Sequence, residues 1–330
     1  MIATYYWILW DVLIGLAFLV GFKVVGGYLM KMMYGWFSDD VSATKPKQTS
    51  PMTSAETSAA ASSWTPSTRF LWTGLTLAWI LSAALQIRPT LVTTDVQHIL
   101  LVTAGTGSSA DVPGIAQALA TWWATHAIDA NIFAILIQLV IGLMLWLGRK
   151  HWLGKATVWV SAILSLSLWI VAQAPGGLID AKGTLLSGPS QAGLWVFVLS
   201  AVLLFPTRVW SAKRTDATVR IVRSVLFIGL GAWELVSPAD ASVSFLHLGP
   251  SQAAAFHLAW AVLLLIVGGL EWVRPLDHLL DGLLLLALFA AWSLSEGFGW
   301  PGGYALAIGS APVLAVLSLG TRHLSRAARE

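Results

Sequence analysis

Two stretches of equal length decide the fold: WIVAQAPGGLIDAKGTLLSGP at 169–189 and WSLSEGFGWPGGYALAIGSAP at 292–312. They begin 123 residues apart and match at five positions, four of them identical and one a Gln/Glu pair. These are Trp169, Gln173, Gly176, Ser187 and Pro189 in the first, and Trp292, Glu296, Gly299, Ser310 and Pro312 in the second. Phe133 and Phe256 lie at the same separation. A gapless match of this length indicates an internal duplication.

The composition is typical of a chain that lies in lipid. Hydrophobic residues make up 57% and charged residues 11%, and the mean hydropathy is +0.74. A soluble domain has roughly 25% charged residues. The 19 tryptophans fit the aromatic belts of membrane interfaces. The absence of cysteine excludes disulfides, thiolate-bound iron–sulfur clusters and thiol catalysis.

Nine hydrophobic stretches are long enough to cross a bilayer core of roughly 30 Å. They predict an all-α integral membrane protein with nine transmembrane helices: one N-terminal anchor helix plus two parallel four-helix repeats. The stretches are 5–30, then 70–88, 130–148, 156–174 and 191–206, then 221–237, 252–271, 279–297 and 304–320. The predicted domains are the anchor at 1–37, a Ser/Thr/Ala/Pro-rich linker at 38–68, and repeats at 69–210 and 218–322.

Basic residues predict the orientation, because Lys and Arg concentrate in cytoplasmic loops. With the N-terminus outside and the C-terminus cytoplasmic, 16 of the 19 Lys and Arg residues fall on the inner side. Each repeat has four spans, so both copies point the same way, unlike the inverted repeats of many transporters. The net charge of +3 reflects these basic segments, and we expect no nucleic-acid partner.

Two segments outside the eight repeat spans have their own predictions. The N-terminal helix at 5–30 is joined to the rest only by the flexible linker, so we expect it to contact another membrane subunit. Residues 113–127 are predicted to form a short interfacial helix, either lying flat on the outer membrane surface or covering the bundle as a lid.

The candidate site is a polar cluster near the outer face. Ionisable groups inside a bilayer cost at least roughly 2.5–3.5 kcal/mol, so they need a specific reason to be there. The cluster consists of Glu234, His257, Glu296, Gln173 and Gln86. The first copy offers two amides where the second offers two carboxylates, which can hold a proton or a cation. The alternative is that these groups only hydrogen-bond within the bundle.

No metal or haem is predicted to be bound intrinsically. His247 and His257 with two glutamates could form a metal site, but a gap of ten residues fits no metal motif. Only His257 has reasonable membrane depth, whereas a bis-His haem needs two facing histidines. Quinone or lipid are the only small molecules expected. The glycines, serines and prolines of the repeated motif fit helix ends and starts.

The order of elements resembles the DoxX/DoxD-like family of small four-helix membrane proteins. The likeness includes Gln86-Ile87-Arg88-Pro89, Gly142 and Gly148-Arg149. The chain is also similar to Gram-positive and actinobacterial membrane proteins with a Trp-x3-Glu-Gly-x-Gly…Gly-Ala-Pro pattern, here Trp292, Glu296, Gly297, Gly299 and Ala311-Pro312. The resemblance implies a bacterial inner-membrane protein, sometimes a partner of quinone-linked oxidoreductases such as thiosulfate:quinone oxidoreductase. It carries over no catalytic residues.

Three functions remain open on the sequence. The first is a non-catalytic membrane subunit of a respiratory or electron-transfer complex, which scaffolds partner subunits and contributes an outward-facing quinone or ion site. The second is a transporter or channel for a proton, a metal ion or a small solute. The third is a quinone-reactive, DoxD-like oxidoreductase. The scarcity of polar residues at mid-membrane argues against the second, and the lack of cofactor ligands argues against the third.

Overall fold

The computed structural model describes residues 66–87, 118, 121–123, 125–149, 152–170, 192–205, 214–236, 250–295 and 309–327. All of them belong to the second of two compact units, Pro66–Glu330. The predicted N-terminal helix at 5–30 lies in the first unit, Met1–Thr65, outside the described residues. Gln173 and Glu296 of the predicted cluster also lie outside them.

The described residues form eight α-helices and contain no strand, which confirms the all-α prediction. The helices are α1 (Pro66–Gln86), α2 (Ala127–Leu147), α3 (Trp152–Leu168), α4 (Ala192–Leu204), α5 (Arg214–Val236), α6 (Pro250–Gly269), α7 (Asp277–Ala290) and α8 (Ser310–Ala327). Each overlaps one predicted span of the two repeats. Of the predicted interfacial helix at 113–127, the described residues 118, 121–123 and 125 are helical.

Several helix ends follow from local sequence. Helices α1 and α6 begin with proline, whose missing N–H costs nothing in the first turn. Gly148 ends α2, and its N–H donates to Met144 O at 2.8 Å. Gly309 has a φ of 84°, which glycine adopts without strain, immediately before α8. Both α3 and α7 end in a π-helical turn that contains the motif tryptophan, Trp169 or Trp292.

Each copy closes into a four-helix bundle in which every helix packs on the next. Helix α1 contacts α2, α2 contacts α3, α3 contacts α4, and α4 returns to α1; α5 to α8 do the same. Helix α8 also packs on α1 and α4 and so joins the bundles. A Cβ on Gly74 would lie 2.1 Å from Val316, and one on Gly320 would lie 2.1 Å from Leu71. Glycine is therefore needed for this close approach.

The first two helices of the copies pack through matched contacts. Ile80 of α1 lies on Gly142 of α2, where a Cβ would come within 2.6 Å of Ile80 Cγ1. Ile228 of α5 lies on Gly268 of α6 in the same way, at 2.8 Å. Matched positions are therefore 148 residues apart in sequence between α1 and α5, and 126 residues apart between α2 and α6.

The 126-residue relation corrects one pairing taken from the sequence. The separation of 123 holds for the motif positions, but α2 and α6 are shifted by three further residues, nearly one turn. Phe133 therefore corresponds to Ala259, not to Phe256. In the second copy, three fewer residues therefore separate the matched positions of α6 and α7, and the turn between these helices forms two short 3₁₀ segments, Leu270–Trp272 and Arg274–Leu276.

Three described helices are long and apolar enough to cross a membrane: Ser67–Gln86, Ala127–Leu147 and Ala254–Trp272. Trp152–Leu168 and Ala192–Leu204 are apolar but shorter. Helices α5 and α8 contain several charged residues, and α7 has only 14 residues. The nine-span architecture and the orientation of the termini stay predictions.

The outer surface of the described helices is unusually apolar for a protein in water. Large apolar side chains face outward, among them Phe133, Ile163, Val225 and Leu286, each more than 60% exposed. Ionised side chains such as Arg322 and Glu271 are instead buried, at 2% and 1% exposure. Soluble proteins rarely expose extended apolar surfaces. This arrangement is typical of a bundle surrounded by lipid.

Candidate functional site

Glu234 and His257 of the predicted cluster lie in contact. Glu234 is in the last turn of α5, and His257 is in the second turn of α6. Nδ1 of the imidazole is 3.3 Å from Glu234 Oε2, and both side chains are buried, at 7% and 1% exposure. His257 Nε2 has no hydrogen-bond partner among the described residues. The carboxylate favours a proton on Nδ1, so Nε2 presents a lone pair in the neutral ring and an N–H in the charged ring.

The first copy has an uncharged pair at the matching place. Gln86 Nε2 donates to Asn131 Oδ1 at 3.1 Å, and Asn131 Nδ2 donates to the Gln86 carbonyl oxygen at 3.0 Å. Gln86 precedes Glu234 by 148 residues, and Asn131 precedes His257 by 126. These are the same separations that the packing of isoleucine on glycine gives for the first two helices of the copies. The prediction that Gln86 corresponds to Glu234 therefore holds. Asn131 was missed because the motif separation of 123 residues pairs it with Ala254 and not with His257.

The whole predicted cluster is not assembled within the described part of the chain. Gln86 and Glu234 belong to different bundles, while Gln173 and Glu296 lie outside the described residues. The described histidines and carboxylates include no group of three or more that could hold a metal ion. What the geometry provides is one buried carboxylate–imidazole pair in the second copy and one amide pair in the first.

A larger polar cluster lies at the opposite end of the second bundle, and sequence reasoning missed it. We call this the inner network, and it consists of Asp216, Arg220, Arg223, Glu271, Asp277, Asp281 and Arg322. Glu271 is in the turn after α6, and the other members come from α5, α7 and α8. Arg220 and Glu234 are 14 residues apart on α5, so the network lies about 21 Å from the Glu234–His257 pair.

Short ion pairs hold the inner network together. Arg322 Nη2 is 2.6 Å from Glu271 Oε2, and Arg223 Nε is 3.0 Å from Glu271 Oε1. Arg220 forms a two-pronged pair with Asp277, at 3.1 and 2.9 Å. The side chains of these five residues are at most 8% exposed. Two arginines thus share one carboxylate, and each helix of the second bundle is tied to the others.

Apolar residues take the place of this network in the first copy. The counterparts of Arg223, Glu271, Asp281 and Arg322 are Leu75, Leu145, Val158 and Leu199, each at most 1% exposed. Trp72 stands where the second copy has Arg220, and its Nε1 donates to Leu145 O at 2.8 Å. Arg220 donates correspondingly to Glu271 O. The backbone contact is kept, while the chemistry around it changes from apolar to ionic.

The sequence did contain a signal for the inner network. Asp216 and Arg220, like Asp277 and Asp281, are four residues apart and therefore share a helix face. Arg220, Arg223 and Arg322 were counted as basic residues of the inner membrane side, where solvated charges are common. They are instead buried in ion pairs, at 4%, 3% and 2% exposure. The predicted orientation therefore rests on a smaller number of solvated basic residues than the 16 counted from the sequence.

The middle of the first bundle is also more polar than expected. Trp79 Nε1 donates to Ser161 Oγ at 2.8 Å, and Ser161 Oγ lies 2.9 Å from Ser200 Oγ. These side chains, with Gln138 and Ser165, are at most 3% exposed. The counterparts of Trp79, Gln138, Ser161 and Ser165 are Phe227, Leu264, Leu284 and Leu288 in the second copy. The first copy is therefore more polar at mid-membrane than the sequence predicts.

Comparison with known protein families, with curated proteins and with solved structures gives no match for this chain.

Proposed function

We propose that the protein is an integral membrane subunit of a larger bacterial electron-transfer assembly. It scaffolds partner subunits and contributes an outward-facing quinone site at the Glu234–His257 pair. The observation that carries the proposal is the buried contact between these side chains, with His257 Nε2 free of protein partners among the described residues. The DoxX/DoxD resemblance supplies the expectation of quinone-linked partners.

A quinone headgroup suits His257 in both of its protonation states. The hydroxyl of a quinol can donate to Nε2 of the neutral imidazole, and the carbonyl of a quinone can accept from Nε2–H of the imidazolium. Glu234, 3.3 Å from Nδ1, holds the ring orientation. Trp260 lies three residues further along α6, and its Nε1 also lacks a hydrogen-bond partner among the described residues. It offers a second N–H on the same helix face.

The depth of the polar groups argues against a transport path through either bundle. In the second copy, the buried Phe227, Leu264 and Leu284 separate the Glu234–His257 pair from the inner network. In the first copy, Leu75, Leu145 and Leu199 occupy the end that is ionic in the second. An ion that crossed either layer would lose its hydration without gaining polar partners. A scaffold fits this distribution better than a channel does.

The exposed side of α2 and α3 supports a role in contacts with lipid or other subunits. Trp146, Trp152 and Trp159 on α2 and α3 are 62%, 74% and 58% exposed. Tryptophan is enriched both at membrane interfaces and at protein–protein contacts. A face of this kind can bind partner helices without a polar groove.

Purification from the native membrane in a mild detergent tests the subunit role. The tagged protein is analysed by mass spectrometry of co-purifying chains and by its absorption spectrum. The proposal predicts stoichiometric redox subunits and the absorption of their cofactors. A colourless protein that purifies without partners, and whose membranes lose no quinone-dependent electron transfer when it is deleted, would contradict it.

A further inference from the structure

The first bundle contains a column of buried polar side chains that the proposed function does not use. It begins with Gln86 and Asn131 at one end and reaches Trp79, Ser161 and Ser200 in the middle. Ser82 lies between these levels on α1, and Ser165 lies on α3, one turn from Ser161. From Gln86 to Trp79 the column covers seven residues of α1, about 10 Å.

Three buried side-chain atoms in this half of the first bundle have no hydrogen-bond partner among the described residues. They are Gln86 Oε1, Ser82 Oγ and Trp195 Nε1. The three side chains are 2%, 0% and 9% exposed. Buried polar atoms in native proteins nearly always have partners, and ordered water supplies those that the protein does not. An acceptor, a hydroxyl and an N–H donor at neighbouring depths offer a water molecule the mixture of contacts that it needs.

We propose that this half of the first bundle binds a short file of water molecules. The file enters beside the Gln86–Asn131 pair and ends at the Trp79–Ser161–Ser200 layer. The topology prediction puts its open end on the outer face. The inference is independent of the quinone site, because that site belongs to the second bundle.

The file is closed below the Ser161 layer. Leu75, Leu145, Val158 and Leu199 form the next buried layer and carry no polar side-chain atom. Water therefore reaches the middle of the bundle but does not cross it. Such a blind hydrated pocket can exchange protons or water with one side only.

Cysteine accessibility tests the proposal, because the chain contains no native cysteine. Ser165→Cys in the full chain, reconstituted in nanodiscs, is treated with a small, charged methanethiosulfonate reagent. The matched control is Leu288→Cys at the corresponding position of the second bundle, which is equally buried at 2% against 0%. Only a thiolate reacts, and a thiolate forms only where water solvates it, so the Ser165→Cys protein should react at least about tenfold faster.

Ser82→Cys provides a second position if Ser165→Cys does not fold as judged by gel filtration. It should also react faster than Leu288→Cys. Equal rates for the tested serine position and the control would overturn the proposal, whether both positions react or both are protected.

Discussion

Arg322 and Glu271 form a 2.6 Å ion pair at a place where the first copy has Leu199 and Leu145. Glu271 also binds Arg223, so one carboxylate contacts two buried guanidinium groups. Taking such charges out of water costs several kcal/mol per ion, and only complete pairing offsets that cost. The inner network is therefore sensitive to the loss of any single member.

Glu271→Gln should strongly destabilise the protein. The substitution keeps the side-chain shape but removes the closest carboxylate of both Arg223 and Arg322, which then have to share Asp281. Removing one partner of a buried pair costs about 3–5 kcal/mol. Thermal unfolding of the purified protein in detergent, followed by circular dichroism, measures the effect. A loss below about 1 kcal/mol would show that the network is not desolvated as described.

Replacing the network by its counterparts should restore most of that stability. The quadruple variant Arg223→Leu, Glu271→Leu, Asp281→Val and Arg322→Leu gives the second copy the buried set of the first. Well-packed apolar residues often equal or exceed a buried ionic set in stability. We expect this variant to unfold at a higher temperature than Glu271→Gln. The opposite order would mean that the matched positions of the two copies are not equivalent in packing.

The Gln86–Asn131 pair should show coupling in a double-mutant cycle. Gln86→Leu or Asn131→Leu alone leaves one buried amide without its partner, which costs about 1–3 kcal/mol. The double variant should lose less than the sum, with a coupling of about 0.6–1.7 kcal/mol. Unfolding in detergent measures all four corners of the cycle. Additive losses would contradict the contact between the two side chains.

Gly154→Ala and Gly282→Ala should have opposite effects although both remove a helical glycine. A Cβ at Gly154 would lie 2.2 Å from Gly148 O and 3.0 Å from Trp72 Cζ2, and the backbone atom cannot rotate away. Overpacking of this kind costs about 1–3 kcal/mol. A Cβ at Gly282 meets nothing within 4 Å, so alanine should stabilise α7 by up to about 1 kcal/mol. Equal melting temperatures for the two variants would contradict the packing of α2 on α3.

The helices could be predicted from the sequence because hydrophobic length and the repeated motif are local signals. All eight repeat helices overlap the spans predicted for them, with ends shifted by up to seven residues. The three-residue shift of α6 against α2 could not be read from the motif, since it arises in the turn between Gly269 and Asp277. The contacts of Ile80 with Gly142 and of Ile228 with Gly268 reveal it.

The partners of buried polar groups were harder to predict than their presence. Glu234 and His257 were expected near each other because both were ionisable and close to the same helix ends. The inner network escaped because its arginines match the pattern of cytoplasmic basic residues, and a sequence does not distinguish a solvated Arg322 from a buried one. The serines at 161, 165 and 200 escaped because a single hydroxyl hardly interrupts an apolar helix.

Quinone binding at His257 is the most direct test of the proposed function. Equilibrium binding of an isoprenoid quinone is measured for the protein in nanodiscs, for His257→Leu and for the matched control Asn131→Leu, which occupies the corresponding place in the first bundle. Loss of the hydrogen bond from Nε2 to the headgroup should weaken binding by about tenfold, while the control should bind as the unchanged protein does. An unchanged affinity in His257→Leu, or an equal loss in Asn131→Leu, would contradict the assignment of the quinone site to the Glu234–His257 pair.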